Sequence, residues 1–220
     1  MRTILKTSLV AIALLIGVSA SAQDTPITFG VKVGANLSNF SGDVEDTKAK
    51  FGFNAGVTLD YAITPDIYLL TGLEFTMKGA KAEYGEEYNG VSVEVTEKAN
   101  PMYLQLPVHI GYKLAIADNT KLVFHAGPYV AYGIAGKAKV EYKGSVAGID
   151  LSGKAGEHDF FGSEEDGGYK RFDFGLGLGV GAEFGKIGVG LGYDFGLLNM
   201  SRGDAKVRNM NAYLTLGYKF

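Results

Sequence analysis

The 220-residue sequence has no cysteine. That excludes thiolate catalysis, cysteine metal sites, a disulfide framework and an acylated-cysteine lipoprotein. It also lacks a charge excess of either sign: Lys+Arg 21 against Asp+Glu 24 gives a net charge of -3, which leaves no electrostatic footprint for nucleic acid. Proline is scarce, at 5 residues. After the first two dozen residues no apolar run is long enough for a membrane helix, which needs roughly 20 residues. What is abundant is glycine, 32 residues, together with 13 Tyr and 13 Phe. Disordered chains are poor in aromatics, so this glycine belongs to ordered structure.

Residues 1–22 read as a cleaved signal peptide. Arg2 and Lys6 supply the basic start, Leu9 to Val18 the apolar stretch, and Ala20-Ser21-Ala22 the small-residue exit. The mature chain is expected to span 23–220. Removal of the leader takes two cations and no anions, leaving 19 against 24, a net -5.

From Ile27 onward the dominant pattern is alternation of apolar with polar or glycine residues, the period of strands with two different faces. Examples are Phe29, Val31, Val33 and Ala35 against Gly30, Lys32 and Gly34, and Leu104, Leu106, Val108 and Ile110 against Gln105, His109 and Gly111. Phe172, Phe174, Leu176, Leu178 and Val180 stand against Asp173, Gly175, Gly177 and Gly179. Eight such strands are predicted, each of about ten to fourteen residues, long enough to cross a bilayer at the usual tilt. Short joins near 64–66, 118–119 and 185–186 alternate with long polar connections near 38–50, 80–100, 136–168 and 198–208. Two of the long connections carry their own alternation (Val91, Val93 and Val95; Val140 and Tyr142) and are expected as hairpins projecting beyond the membrane. Short turns on one rim and long loops on the other belong to outer-membrane barrels. The fold expected is all-β: an eight-stranded antiparallel up-and-down transmembrane β-barrel.

Alternation alone does not say which face is inside, since a soluble barrel packs its apolar face inward. Three features turn the apolar face outward. Glycine on the polar face suits a narrow interior better than a wet surface, where it weakens strands. Aromatics gather near strand ends, as interfacial girdles require. The last strand alternates Leu214, Leu216, Tyr218 and Phe220, the form of a C-terminal insertion signal for the barrel-assembly machinery.

Several segments carry a more specific likeness: Leu73-Glu74-Phe75-Thr76-Met77-Lys78-Gly79, Tyr103-Leu104-Gln105-Leu106-Pro107-Val108, Ala126-Gly127-Pro128-Tyr129-Val130, Phe172-Asp173-Phe174-Gly175 and Tyr213 to Phe220. In their order they resemble the small outer-membrane β-barrel domain family, the porin-family or PorT-like proteins, similar in architecture to OmpX and OmpW. The resemblance covers essentially all of the mature chain. It implies an outer-membrane barrel of eight strands and, for most members, no established biochemical activity; the word porin is not itself a sign of a pore.

The inward residues form the candidate site: Lys32, Lys78, Lys113 and Lys121 against Asp60, Glu74, Asp173, Glu183 and Asp194, with His109 and His125 on neighbouring strands. Buried ions are costly unless paired, so this set is read as a polar cluster that neutralises itself or lines a lumen. Asp60, Lys113, Lys121 and Glu183 are expected near the short-turn rim, with Lys32, Glu74 and His109 at mid-barrel. His109, His125 and Glu74 are the one constellation with metal or acid–base potential, yet a satisfied polar cluster is the reading preferred. The glycine run 175–181 lacks the spacing of a dinucleotide loop. Neither an enzyme nor a cofactor nor a metal is expected. Pro107 and Pro128 each remove a backbone donor from a central strand, and bulges are expected there.

The function expected is a non-enzymatic outer-membrane barrel, a rigid anchor whose extracellular loops meet an unknown protein or surface ligand. The alternative is a narrow porin-like channel or transporter of small or hydrophobic molecules. Acidic loop residues (Asp43, Glu45 and Asp46; Glu83, Glu86 and Glu87; Glu164, Glu165 and Asp166) motivate the first. Partners expected are outer-membrane lipid and the assembly machinery, not nucleic acid.

Overall fold

The computed structural model describes residues 26–44, 46–88, 91–146, 149–150, 152–162 and 168–220. The signal peptide expected over 1–22 lies outside these, as do Glu45, Glu164, Glu165 and Asp166 and the side chains of Glu86 and Glu87. Eleven strands follow in chain order: β1 (Ile27–Gly42), β2 (Thr47–Ala62), β3 (Ile67–Met77), β4 (Ala80–Tyr88), β5 (Val91–Ala117), β6 (Thr120–Val146), β7 (Ile149–Asp150), β8 (Gly153–Asp159), β9 (Phe172–Phe184), β10 (Ile187–Gly196) and β11 (Val207–Lys219). Among the described residues no helix is long and apolar enough to cross a membrane.

The strands pair antiparallel with their sequence neighbours, and β1 pairs β11 from Gly30↔Lys219 to Gly42↔Val207, which closes the sheet on itself. The ring has eight positions, because two of them are filled by broken strands. β3 and β4 succeed one another between β2 and β5. The break falls at Lys78-Gly79, where Gly79 takes φ 137°, a value few residues other than glycine adopt. Likewise β9 pairs the first half of β6 and β8 its second half. Closure satisfies every ladder edge, the condition for placing strands in hydrocarbon.

The apolar face is outside. Val33 is 57% exposed, Leu178 50%, Leu191 57% and Leu216 54%, while the polar residues Asn36, Gln105, Asp173 and Asp194 on the opposite face are buried. An unbroken apolar exterior of this kind is stable only against lipid. Along β9 the outward residues run from Phe172 to Phe184, aromatic at both ends and half-exposed. That is about 40 Å of strand, or about 30 Å across the bilayer at the usual tilt, the thickness of the hydrocarbon core.

The polar connections are shorter than the sequence implied, because the strands outrun the apolar belt. Of 38–50 only residues 43–46 lie between strands. The stretch 80–100 is the β4–β5 hairpin, and 136–159 is the upper part of β6 with its return, β7 and β8. The prolines also behave differently from expectation. Register is constant through Pro107↔Tyr129 and Pro128↔Leu176, so neither makes a bulge. Instead Val108 and His109 lack ladder partners on β6, a gap where the proline donor is missing. The register shifts on this ladder fall at Met102/Tyr103 and Ala115/Ala117.

Leu178 sits midway between the two β9 aromatics, so Leu178→Arg is expected to destabilise the folded barrel in lipid by about 2–4 kcal/mol. Equilibrium refolding into vesicles measures it; a loss below about 0.5 kcal/mol would place Leu178 away from hydrocarbon.

Candidate functional site: a stacked polar interior under an aromatic cap

Glycine makes the interior possible. Large side chains from one strand lie flat on glycines of the next: a Cβ on Gly175 would stand 2.6 Å from the Tyr129 ring, one on Gly179 2.5 Å from His125 Nε2, and one on Gly192 would collide with the Tyr213 ring. A residue with any side chain at these positions would displace those rings.

Near the short-turn rim four charges interlock. Lys113 Nζ is 2.5 Å from Asp60 Oδ2 and 3.0 Å from Glu183 Oε1; Lys219 pairs with the same two carboxylates, 2.5 Å from Glu183 and against Asp60. Lys113 also lies 4.2 Å from the centre of the Tyr68 ring. Lys121, expected in this group, instead has its Nζ 6.0 Å from the Tyr68 ring. Lys219 takes its place, a residue on the inward face of the last strand that the candidate set did not include. With it, lysines 32, 78, 113, 121 and 219 share the interior with carboxylates 60, 74, 173, 183 and 194.

At mid-barrel Lys32 Nζ is 2.5 Å from Glu74 Oε1, and Gln105 Nε2 donates to Asp194 Oδ2 at 3.1 Å. His109 and His125 are diagonal neighbours whose rings stack at 5.0 Å, with Nδ1 to Nδ1 at 2.8 Å. Glu74 is held by Lys32. Among the described residues no three His, Cys, Asp or Glu side chains gather closely enough to hold a metal. These side chains surround a cavity of about 170 Å³ that reaches from this level to the Lys219 cluster.

Above the cavity the interior is solid. Lys78 and Asp173, both with wholly buried side chains, lie 3.5 Å apart. The ammonium rests 4.4 Å from the centre of the Tyr129 ring and 5.5 Å from that of Tyr103. The carboxylate accepts from Tyr129 Oη at 3.2 Å and from Asn209 Nδ2 at 2.9 Å. On β1, β2 and β3, Asn36 Nδ2 donates to Thr76 Oγ1 and Asn54 Nδ2 to Asn36 Oδ1.

Over it sits an aromatic cap that sequence reasoning missed. Between β8 and β9, residues 160–162 and 168–171 leave the sheet and turn into the mouth. Phe160 and Phe161 are buried, the first stacked on Tyr169 at 4.5 Å and on Phe40 at 6.0 Å, the second edge-on to Tyr103 at 5.5 Å. Met200, from the β10–β11 connection, completes the cluster. Backbone bonds from Phe160 to Gly136, Gly133 to Arg171 and Lys170 to Met200 fix the segment on three sides. The one sequence signal was the pair of adjacent phenylalanines in a stretch otherwise polar.

The insertion-signal residues point away from all of this: Leu214, Leu216 and Tyr218 are 55%, 54% and 45% exposed on the outer wall, with Tyr218 edge-on to Phe220 at 5.7 Å. On the projecting hairpins, charge pairs link neighbouring strands. Hydrogen bonds from Lys48 and Lys81 hold the Glu83 carboxyl down to about 2, and Lys137 and Lys139 do the same for Glu157.

Residues 21–202 match the sequence pattern of the family described as outer membrane protein beta-barrel domain. Among curated proteins nothing matches the chain. Among solved structures it is similar to the attachment invasion locus protein Ail of Yersinia pestis, at 18% identity over 88% of this chain and 98% of that one, with a TM-score of 0.42. It is also similar to neisserial surface protein A (13% identity, 87% and 97% covered, TM-score 0.40) and to a major outer membrane protein of Thermus thermophilus (14%, 88% and 99%, TM-score 0.42).

Removing one member of the deepest ion pair strands the other. Lys78→Met is expected to cost roughly 3–5 kcal/mol, read from the urea midpoint of the refolded barrel, with much of the loss recovered in Lys78→Met/Asp173→Asn. A loss under about 1 kcal/mol for the single variant would show that the pair does not support the packing above the cavity.

Proposed function

The chain belongs to the outer membrane protein β-barrel domain family, and from that premise we propose that it is a non-enzymatic, non-conducting anchor that presents strand hairpins outside the outer membrane for contact with a protein or surface ligand. The observation that carries this reading is the interior packing between the cavity and the hairpins. Tyr103, Tyr129, Lys78, Asp173, Phe160 and Met200 are each no more than 2% exposed, in a cross-section that eight strands make narrow. The cavity below therefore opens toward the short-turn rim alone, the side on which both ends of the ring lie. By the usual arrangement of such barrels that rim is periplasmic.

The hairpins favour a contact role. The upper parts of β4, β5 and β6 with β8 form a four-stranded sheet beyond the apolar belt. Lys98–Glu141 at 2.7 Å and Lys137–Glu157 at 2.5 Å tie its strands together, so the surface is presented by backbone ladders and not by loose loops. The outward face of β11, with Leu214, Leu216, Tyr218 and Phe220, would serve the assembly machinery during insertion and lipid afterwards.

Single-channel recording in planar bilayers tests the sealed interior: no reproducible conductance is expected, and stepwise currents would favour the transporter reading. Replacing 84–95 by a short turn is expected to leave a folded barrel, seen as heat-sensitive mobility in detergent, and to remove surface binding by cells that display it. Unchanged binding would contradict the hairpin role.

A further inference from the structure

We propose that the mid-barrel cavity holds one divalent transition-metal ion of the zinc or copper class, between Asp194 of β10 and His109 of β5, with the Gln105 amide oxygen as third protein donor. This stands apart from whatever the hairpins contact. Asp194 and His109 lie on strands separated by β9 and β6, and they meet because the residues between them at that level are Gly177 and Gly127. The His109 ring crosses Gly127, whose Cβ would stand 3.1 Å from His109 Cδ2. Asp194 Oδ1 and His109 Nε2 are each 2.8 Å from the point a Gly177 Cβ would occupy, so they are separated by at most twice that distance.

Two buried polar atoms at this spot have no hydrogen-bond partner. His109 Nε2 is buried with no hydrogen-bond partner, and so is Gln105 Oε1, its amide nitrogen being spent on Asp194. The 2.8 Å contact between the two Nδ1 atoms needs one proton. Either ring can supply it, and a cation at His109 Nε2 selects the form in which His109 does. With the proton on His109 Nδ1, donated to His125, Nε2 keeps its lone pair. A carboxylate oxygen and an imidazole lone pair then face one gap, beside the Gln105 amide that hydrogen-bonds Asp194. The two nearby cations are engaged elsewhere, Lys32 with Glu74 and Lys78 with Asp173. Imidazole and carboxylate are ligand types of borderline divalent metals, and the amide oxygen is the weakest donor of the three. His125 orients the His109 ring through its far nitrogen, the outer-shell role that metal-bound imidazoles ordinarily require. Gln105, His109, His125 and Asp194 all line the cavity, through which an ion can arrive and which leaves room for water as the remaining ligand.

The chain has three histidines, so a His158→Ala background, refolded in detergent without an affinity tag, leaves only this pair. Titration with Cu2+ is expected to give one saturable equivalent whose electron paramagnetic resonance spectrum carries imidazole nitrogen coupling, and Zn2+ is expected to compete for it. Asp194→Asn and His109→Ala should each weaken binding at least 100-fold, and His125→Ala, which removes only the orienting partner, by about 10–100-fold. Wild-type affinity in Asp194→Asn and His109→Ala overturns the assignment. Should those variants fail to show the folded band, the background protein decides alone: absence of a saturable site, or a spectrum without histidine nitrogen, overturns it.

Discussion

Hydrocarbon offers no partner to a peptide group, and that single constraint organises the molecule. A sheet in lipid must close, and here β11 returns to β1 over thirteen register pairs. Once the ring is closed, each strand has one face toward lipid and one toward a space barely wider than its side chains. Everything polar in the spanning segments is forced into that space, where an ion without a partner costs several kcal/mol. The pairing of lysines with carboxylates follows from this, and so do the glycines. Without Gly175, Gly177, Gly179 and Gly192 the Tyr129, His109, His125 and Tyr213 rings would have nowhere to lie.

The packing is uneven along the axis, and the unevenness has a local cause. Toward the hairpins, inward positions carry Tyr103, Tyr129 and Phe40, and the segment between β8 and β9 adds two phenylalanines. Toward the short turns, Gly181, Gly188, Gly190 and Gly217 line the wall instead. A Cβ on Gly188 would have no neighbour closer than 4.0 Å. The cavity is the space these small residues leave unfilled. Dense packing and a polar chamber thus share one barrel, at different levels along its axis.

The faces of this barrel were legible in the sequence because period-two alternation is a local property; Leu176, Leu178 and Val180 against Gly175, Gly177 and Gly179 need no tertiary context. The ends of the strands were less so. Beyond the apolar belt both faces of β5 and β6 meet water; alternation survives at Val91, Val93 and Val95 and at Val140 and Tyr142, but ladders at Lys98↔Lys139 or Glu94↔Lys143 read as polar loop. Charge type was also legible at interior positions; the part of Lys219, which reaches Asp60 across 159 residues of sequence, was not. The meeting of Asp194 with His109 depends on two glycines of strands that neither occupies. The prolines misled in the opposite direction: a missing donor can be absorbed as a gap in pairing, without an extra residue.

The central claim is the orientation of the two faces. The chain has no native cysteine, so single nitroxide labels placed at Leu178, Leu216 and Thr215 in lipid vesicles test it directly through collision with oxygen and with a water-soluble nickel chelate. Labels at 178 and 216 are expected to be oxygen-accessible and shielded from nickel, as in hydrocarbon, while the label at 215 is shielded from oxygen. The reverse pattern, with 178 and 216 protected from oxygen and 215 in the lipid, would contradict the account.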